Sequence, residues 1–127
     1  MKSFKWEPKL KKELQKILAK EFTGHDFYHA QRVRMQAEKI ALAEKLKVDW
    51  PVLIASAWIH DAGYGKINLT KKNAVQHVYE GVKIAQKILP KIGFPKTKIK
   101  DVLFIVEHHD DRKVTRTTSF KGKKVTN

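Results

Sequence analysis

The sequence predicts an all-α fold, a single-domain bundle of about five helices. Apolar residues recur three and four positions apart along most of the chain, which is the period of amphipathic helices. Proline and glycine stand in short stretches between these periodic runs, where they end one helix and begin the next. With 127 residues the chain can bury one hydrophobic core but is too short for two, so we expect a single domain over residues 1–127.

The first predicted helix spans Trp6–Phe22. Pro8 falls in its first turn, where proline is tolerated, and its other face is rich in lysine. Its apolar stripe consists of Leu10, Leu14, Ile17 and Leu18. Thr23-Gly24 ends the pattern, and Asp26 is suited to N-cap a second helix that runs to about Lys47.

The second predicted helix places a histidine on its inward face. Five residues of this segment are three and four positions apart and therefore share one face of the helix: His29, Val33, Ala37, Ile40 and Glu44. His29 therefore lies in line with the residues that are expected to face the core. A side chain that can bind a metal is thus predicted to point into the bundle rather than into solvent.

The third predicted helix is apolar nearly all round, so we expect it at the centre of the bundle. Asp49 or Trp50 caps its start, and Pro51 suits its first turn. Gly63 ends it soon after His60-Asp61. A histidine and a carboxylate at the end of a buried helix need hydrogen-bond partners or a cation, because an unpaired buried charge costs several kcal/mol.

The fourth predicted helix runs from about Asn73 to Leu89. His77 lies on its inward face, and Gly81 on the same face permits close contact with another helix. A turn built on the prolines and the glycine of residues 90–96 then separates this helix from the next.

The fifth predicted helix covers roughly Lys96–Asp110. It carries His109 along its apolar side, with His108 one turn after Phe104. The periodic pattern stops after this helix. Residues 112–127 are polar, basic and aperiodic, and they are predicted to form a loop or tail.

The composition narrows the possible classes of function. The formal net charge is +14 and comes mostly from lysine, so the chain is expected to attract polyanions such as nucleotides or nucleic acid. The positive charge comes from lysine spread over every segment rather than from arginine interleaved with aromatic residues, which argues against a protein that reads a nucleic-acid groove. No run of about 18 apolar residues and no signal-peptide pattern occurs, so we expect a cytoplasmic protein without membrane contact.

Cysteine is absent, so any metal must be held by histidine and carboxylate.

Most of the six histidines fall near predicted helix ends, on or beside an apolar stripe. These are His29, His60, His77, His108 and His109. An up-and-down bundle can bring such helix ends together beside Asp61. One such histidine alone is more often hydrogen-bonded to backbone carbonyls. Several beside a carboxylate indicate a metal centre for one or two divalent ions of Mn, Fe, Co, Ni or Zn.

These residues resemble a known family. The segment HDFYHAQRV at residues 25–33, followed by WIHDAG at residues 58–63, resembles the ordered H, HD and distant D of the HD superfamily of metal-dependent phosphohydrolases. The similarity continues through HVYEGVKIA at residues 77–85 and IVEHH at residues 105–109, so that it covers about residues 22–111. The resemblance implies an HD-domain-like helical bundle.

The resemblance also implies roles for individual residues. His29, His60 and Asp61 correspond to the ligands of a first metal. His77 and one or both of His108 and His109 correspond to ligands of a second, with Asp61 as the bridge.

The candidates for the catalytic machinery are Asp61, Arg32 and Lys66. Arg32 lies one turn past His29, and Lys66 follows the His-Asp pair, so both are candidates for contact with substrate phosphate. The alternatives are a surface arginine on the second helix and a solvated loop lysine.

Two features depart from the family pattern. The last metal-binding aspartate of the family normally lies on a further helix, and the sequence contains no such helix after residue 112. We expect a fragment of a longer protein, a short form with an incomplete site, or a carboxylate supplied from elsewhere. Tyr64 stands where some HD phosphatases place an acidic base.

The activity that the resemblance implies is hydrolysis of a phosphoester or phosphoanhydride by a metal-activated water. The expected substrate is a nucleotide or another small phosphorylated molecule, by analogy with the family. One alternative is a catalytically impaired HD module that binds nucleotides or RNA through a basic surface. Another is a structural bundle whose histidines are satisfied internally.

Overall fold

A computed structural model describes residues 2–20, 26–66, 74–109, 117–120 and 123–126. The five α-helices are α1 (Glu7–Ile17), α2 (Phe27–Ala43), α3 (Trp50–Ile59), α4 (Ala74–Lys91) and α5 (Ile99–His108). Short 3-10 helices follow α3 at Ala62–Lys66 and precede α5 at Lys96–Lys98. Two short strands, β1 (Thr117–Phe120) and β2 (Lys123–Thr126), come last. The prediction of an all-α bundle of about five helices is confirmed.

The apolar helix α3 lies at the centre of the bundle, as predicted. Every residue from Val52 to Ile59 is buried, and the helix contacts α2, α4 and α5. Asp49 caps its start by accepting a hydrogen bond from the Val52 N–H at 3.3 Å. The Lys98 Nζ lies 2.5 Å from the same Asp49 carboxylate, so the start of α3 is tied to the start of α5. The end of α3 therefore has a defined position relative to the other helices.

The buried face of α2 differs from the predicted one. Its buried residues are Ala30, Arg34, Glu38 and Ala41. In the predicted stripe, Ile40 is 57% exposed and Glu44 is also exposed. The buried stripe is offset by one position because Arg34 and Glu38 pair with each other and with Glu7 of α1. Hydrophobic periodicity does not detect such a face, because two of its four buried residues are charged.

Several helix ends also differ from the predicted bounds. Helix α1 ends at Ile17, and the predicted end at Phe22 lies outside the described residues. Helix α2 ends at Ala43 rather than near Lys47. Helix α4 continues past Leu89 to Lys91, because Pro90 falls in the last turn and removes a single backbone donor. Gly93, at φ 82°, then provides the left-handed turn after the helix.

The segment after α5 contains two strands where the sequence predicted a loop or tail. Residues 117–120 and 123–126 pair as an antiparallel two-stranded sheet, with Phe120 opposite Lys123. The period-2 pattern over four residues is too short to be recognised among polar side chains. The rest of residues 110–127 lies outside the described part of the chain.

None of the described helices is both long and apolar enough to cross a bilayer.

Candidate metal centre

Four helix ends meet at one end of the bundle. His29 lies in the first turn of α2, whose start is capped by Asp26 through a hydrogen bond from the His29 N–H at 2.9 Å. His60 and Asp61 directly follow the last residue of α3. His77 is in the first turn of α4, and His109 directly follows α5. The predicted convergence of histidines beside Asp61 is therefore seen for these four.

The carboxylate of Asp61 lies among the four imidazole rings. Its Oδ2 is 3.2 Å from Nε2 of His29 and 3.1 Å from Nε2 of His60. Its Oδ1 is 3.6 Å from Nε2 of His77 and 3.3 Å from Nε2 of His109. Each carboxylate oxygen thus faces two ring nitrogens, as a carboxylate that bridges two cations would.

The hydrogen bonds of two rings determine which nitrogen carries a proton. Nδ1 of His60 is 2.8 Å from the Ala57 carbonyl oxygen, and Nδ1 of His109 is 2.7 Å from the Val106 carbonyl oxygen. A carbonyl only accepts hydrogen bonds, so Nδ1 is the donor in both rings. In the neutral ring Nε2 then carries a lone pair, and it faces the negative Asp61 carboxylate. Either a proton on each ring or a shared cation is needed to offset this repulsion.

The donor set fits a divalent metal. Two groups of ligand atoms occur in the described residues, one from His29, His60 and Asp61 and one from Asp61, His77 and His109, and the atoms of each group lie within 4.8 Å of one another. Nε2 of His77 and Nε2 of His109 are also only 3.3 Å apart. Imidazole and carboxylate donors without thiolate suit Mn, Fe, Co, Ni or Zn.

The charge of the site is set by Asp61. Burial alone would raise the pKa of the Asp61 carboxyl. Hydrogen bonds from His109 and His60 and the charges of these rings outweigh the burial and hold the pKa well below its usual range. The lowered pKa favours the ionised carboxylate, which can attract a cation.

The two sides of the site differ in exposure. The His77 side chain is 1% exposed, and its ring stacks on Tyr64 with centroids 4.1 Å apart. The His29 side chain is 29% exposed. The site is therefore open to solvent beside α2, whereas the buried His77 of α4 and Tyr64 lie on the opposite side.

Close contact between α4 and the 3-10 helix at Ala62–Lys66 positions His77. A Cβ added at Gly63 would lie 1.8 Å from the His77 carbonyl oxygen, so only glycine fits there. A Cβ at Gly81 would lie 3.2 Å from Cγ1 of Val106, which agrees with the close helix contact predicted at Gly81. The sequence analysis treated Gly63 only as the end of a helix, because contact with a residue 14 positions later leaves no local signal.

The remaining predicted site residues lie elsewhere or cannot be placed. The His108 ring packs against Phe104, with centroids 4.5 Å apart, and it belongs to neither group of ligand atoms found in the described residues. Arg32 is exposed on α2, one turn past His29. Lys66 ends the 3-10 helix, and its side chain is outside the described part of the chain, as are residues 110 and 111.

A buried polar network supports the helices that carry the site, and the sequence analysis missed it. Trp58 donates its indole N–H to Oε2 of Glu7 at 2.7 Å, and Arg34 donates its Nε–H to the same oxygen at 2.7 Å. The Trp58 ring stacks on Phe27, two residues before His29, with centroids 5.4 Å apart. The network thus joins α1, α2 and α3 close to their metal-ligand candidates. The Arg34–Glu38 spacing of four residues was its only signal in the sequence.

The fold and the site define a class of protein, helical bundles in which histidine and aspartate from several helix ends can hold divalent metal. The family model of the HD domain matches residues 26–126, and the chain belongs to the HD domain family. The family resemblance seen in the sequence is thereby confirmed. HD domains are generally metal-dependent phosphohydrolases. Searches of the curated proteins and of the solved structures found no match to the chain.

Proposed function

We propose that this chain is a metal-dependent phosphohydrolase that acts on a nucleotide or another small phosphorylated substrate. The observation that carries the proposal is the Asp61 carboxylate, each of whose oxygens faces two histidine Nε2 atoms at 3.1–3.6 Å. Membership of the HD domain family supports the same reaction class.

The ligands in this proposal come from both groups of the site. His29, His60 and Asp61 hold one ion, and Asp61, His77 and His109 hold a second. A divalent metal bound there supplies Lewis-acid charge at the phosphoryl group and lowers the pKa of a water molecule towards 7, from about 15.7 in bulk. His108 has no ligand role in this proposal, because its ring packs on Phe104.

The residues of the chain orient the donors before an ion binds. The carbonyls of Ala57 and Val106 hold the rings of His60 and His109, so that Nε2 of each ring faces Asp61. Tyr64 and the buried His77 exclude water from one side of the site. We infer that substrate enters beside α2, where Arg32 contacts its phosphate, and that Lys66 contributes a second positive charge.

Metal content tests the proposal directly. Protein purified without added metal or chelator is expected to contain one or two equivalents of a transition metal per chain, measured by elemental mass spectrometry. Asp61→Asn should lose the metal, because Asp61 belongs to both groups, whereas His60→Ala and His77→Ala should each lose about half of it if two ions bind. His108→Ala is the matched control, because it removes an imidazole outside the site, and it should keep the full metal content.

Release of phosphate from a panel of nucleotides by the metal-loaded protein then tests the activity, with Asp61→Asn as the inactive control. Full metal content in a folded Asp61→Asn protein would exclude this centre. Nucleotide binding by the metal-loaded wild type without any phosphate release would instead identify a catalytically impaired module.

A further inference from the structure

A row of exposed lysines follows the outer face of α1. Lys9, Lys12 and Lys16 are three and four residues apart, which places them on one side of the helix, opposite the buried Leu10 and Leu14. Because all three are exposed, their ammonium groups remain available to a ligand in solvent.

A second row of exposed lysines follows α4. Lys83, Lys87 and Lys91 are spaced by four residues on the face opposite the buried Ala85 and Leu89. The side chains of Lys83 and Lys91 are 60% and 59% exposed. Helices α1 and α4 are in contact, and Lys91 at the end of this row reaches a side chain of α1. We call the six lysines of both rows the α1–α4 basic surface.

One carboxylate connects the two rows. Oε2 of Glu13 on α1 is 3.0 Å from Nζ of Lys91 on α4. The hydrogen bond from Lys91 and the charges of Lys91, Lys16 and Lys87 lower the pKa of the Glu13 carboxyl, although it also carries a small desolvation cost. Lysines of both helices therefore surround Glu13. Lys83 also pairs with a carboxylate, Oε2 of Glu80 at 3.4 Å, so these two acidic groups offset part of the charge of the six lysines and leave the surface positive.

The surroundings of this surface favour a phosphate backbone over other polyanions. None of the exposed large hydrophobic residues in the described chain is on α1, so this helix offers neither a stacking platform for bases nor an apolar wedge for a membrane. On α4 the exposed Tyr79 ring is already approached by Lys83, whose Nζ lies 5.5 Å from the ring centroid. Contact through α1 is thus limited to ionic attraction.

The two rows also match a duplex better than a single strand. Two rows of ammonium groups on adjacent helices offer one row to each strand of a duplex, whereas a single strand can follow only one row at a time. We propose that the α1–α4 basic surface binds the phosphate backbone of double-stranded nucleic acid without reading its bases. This binding does not depend on the metal centre.

The test is fluorescence anisotropy with a labelled 20-base-pair duplex over a range of salt concentrations. The surface variant carries Lys12→Gln, Lys16→Gln and Lys87→Gln together. The matched control carries Lys39→Gln, Lys47→Gln and Lys100→Gln, which are exposed lysines outside this surface. Both triple variants lower the net charge of +14 by the same three units.

We expect the surface variant to bind the duplex about 10-fold more weakly than the wild type near 100 mM salt. The slope of its log affinity against log salt concentration should be smaller than that of the wild type by about 2–3 units. The control should stay within about twofold of the wild type, with only a small change of slope. Glu13→Gln should bind more tightly than the wild type, because it removes the acidic group at the centre of the surface. Circular dichroism confirms that each variant is folded.

Three results would overturn the proposal. Equal losses in the two triple variants would show that only the net charge matters. Tighter binding of a single strand of the same length would exclude the duplex, and binding to vesicles of anionic lipid without binding to the duplex would assign the surface to a membrane.

Discussion

At the scale of single residues, burial decides how much an ion pair contributes. Arg34 is 5% exposed and donates hydrogen bonds to Glu7, Glu38 and the Lys2 carbonyl oxygen. Lys91 contacts Glu13 through a side chain that is 59% exposed. Water screens the second pair but hardly reaches the first.

Arg34→Met should therefore destabilise the protein by about 3–5 kcal/mol, because it leaves two buried carboxylates without their cation. Lys91→Met is the matched control, and removal of its exposed pair should cost only about 0–1 kcal/mol. Chemical denaturation at neutral pH measures both. Similar losses in the two variants would contradict a buried network.

The same network predicts a dependence of stability on pH. Burial alone would raise the pKa of Glu38, but hydrogen bonds from Arg34 and from the Lys2 backbone outweigh it and lower the pKa below the usual 4.5. Glu38 is thus deprotonated more readily in the folded state, so its contribution is present above pH 4.5 and is lost as the pH falls through its folded pKa.

The free energy of unfolding should accordingly fall less steeply with acid in Glu38→Gln than in the wild type. Urea denaturation at neutral pH and in acid measures the free energy of unfolding of both proteins. The difference between the wild type and Glu38→Gln should be largest at neutral pH. An unchanged difference over this range would show that Glu38 titrates alike in the folded and unfolded states.

At the scale of secondary-structure elements, Gly63 controls how closely α4 approaches the turn after α3. A Cβ at this position would meet the His77 carbonyl oxygen at 1.8 Å, whereas real contacts of this kind are longer than 3.0 Å. Backbone must move to admit a methyl group, and the backbone concerned carries a metal-ligand candidate. The spacing of α4 from this turn therefore affects the site as well as stability.

Gly63→Ala should lower the melting temperature and reduce the metal content in the same way as His77→Ala. The group formed by His29, His60 and Asp61 should keep its ion, since the atoms nearest to the added Cβ belong to the backbone of His77 and Gly81 on α4. Gly93→Ala is the control, because no atom lies within 4 Å of its added Cβ. Its φ of 82° is unfavourable for alanine and should lower the free energy of unfolding by about 1 kcal/mol, but it should leave the metal content unchanged. Metal content unchanged in Gly63→Ala would show that α4 can adjust without moving His77.

At the scale of the whole molecule, the candidate metal centre joins helix ends from four of the five helices. An ion that binds only the folded chain stabilises all of these helices together, by about 2.7 kcal/mol when its concentration is 100 times the dissociation constant. Removal of metal with a chelator should then lower the melting temperature by about 10 °C. Differential scanning fluorimetry measures the shift.

Asp61→Asn is the control for this experiment, because its melting temperature should not respond to chelator. A chelator effect of equal size in Asp61→Asn would place the stabilising ion elsewhere. No effect on a wild type that is known to contain metal would indicate that the ion contributes little to the stability of the fold.

Much of the architecture could be predicted from the sequence. The apolar period identified five helices, and the fully apolar third run identified the central helix α3. The positions of His29, His60, Asp61, His77 and His109 near helix ends were sufficient to predict that they meet. This worked because periodicity and capping are local properties of the chain.

Other features could not be predicted, because they depend on contacts between distant residues. The buried face of α2 contains Arg34 and Glu38, and it is stable only because Glu7 and the indole of Trp58 complete the network. The strands at residues 117–126 are too short for their pattern to stand out. His109 lies on the predicted apolar side of α5 and His108 lies beside it, but the family resemblance allowed one or both as ligands, so the sequence left both open.

The sequence by itself determined the class of fold, the central helix and the residue types available to a metal, because these follow from hydrophobic period, helix ends and the absence of cysteine. Only the tertiary structure decided which histidine of the adjacent pair faces Asp61 and that each carboxylate oxygen faces two rings. Only the tertiary structure also brought the lysines of α1 and α4 together. The physical reason is that hydrogen bonds, ion pairs and ligand geometry depend on distances in space, and the packing of the helices sets those distances.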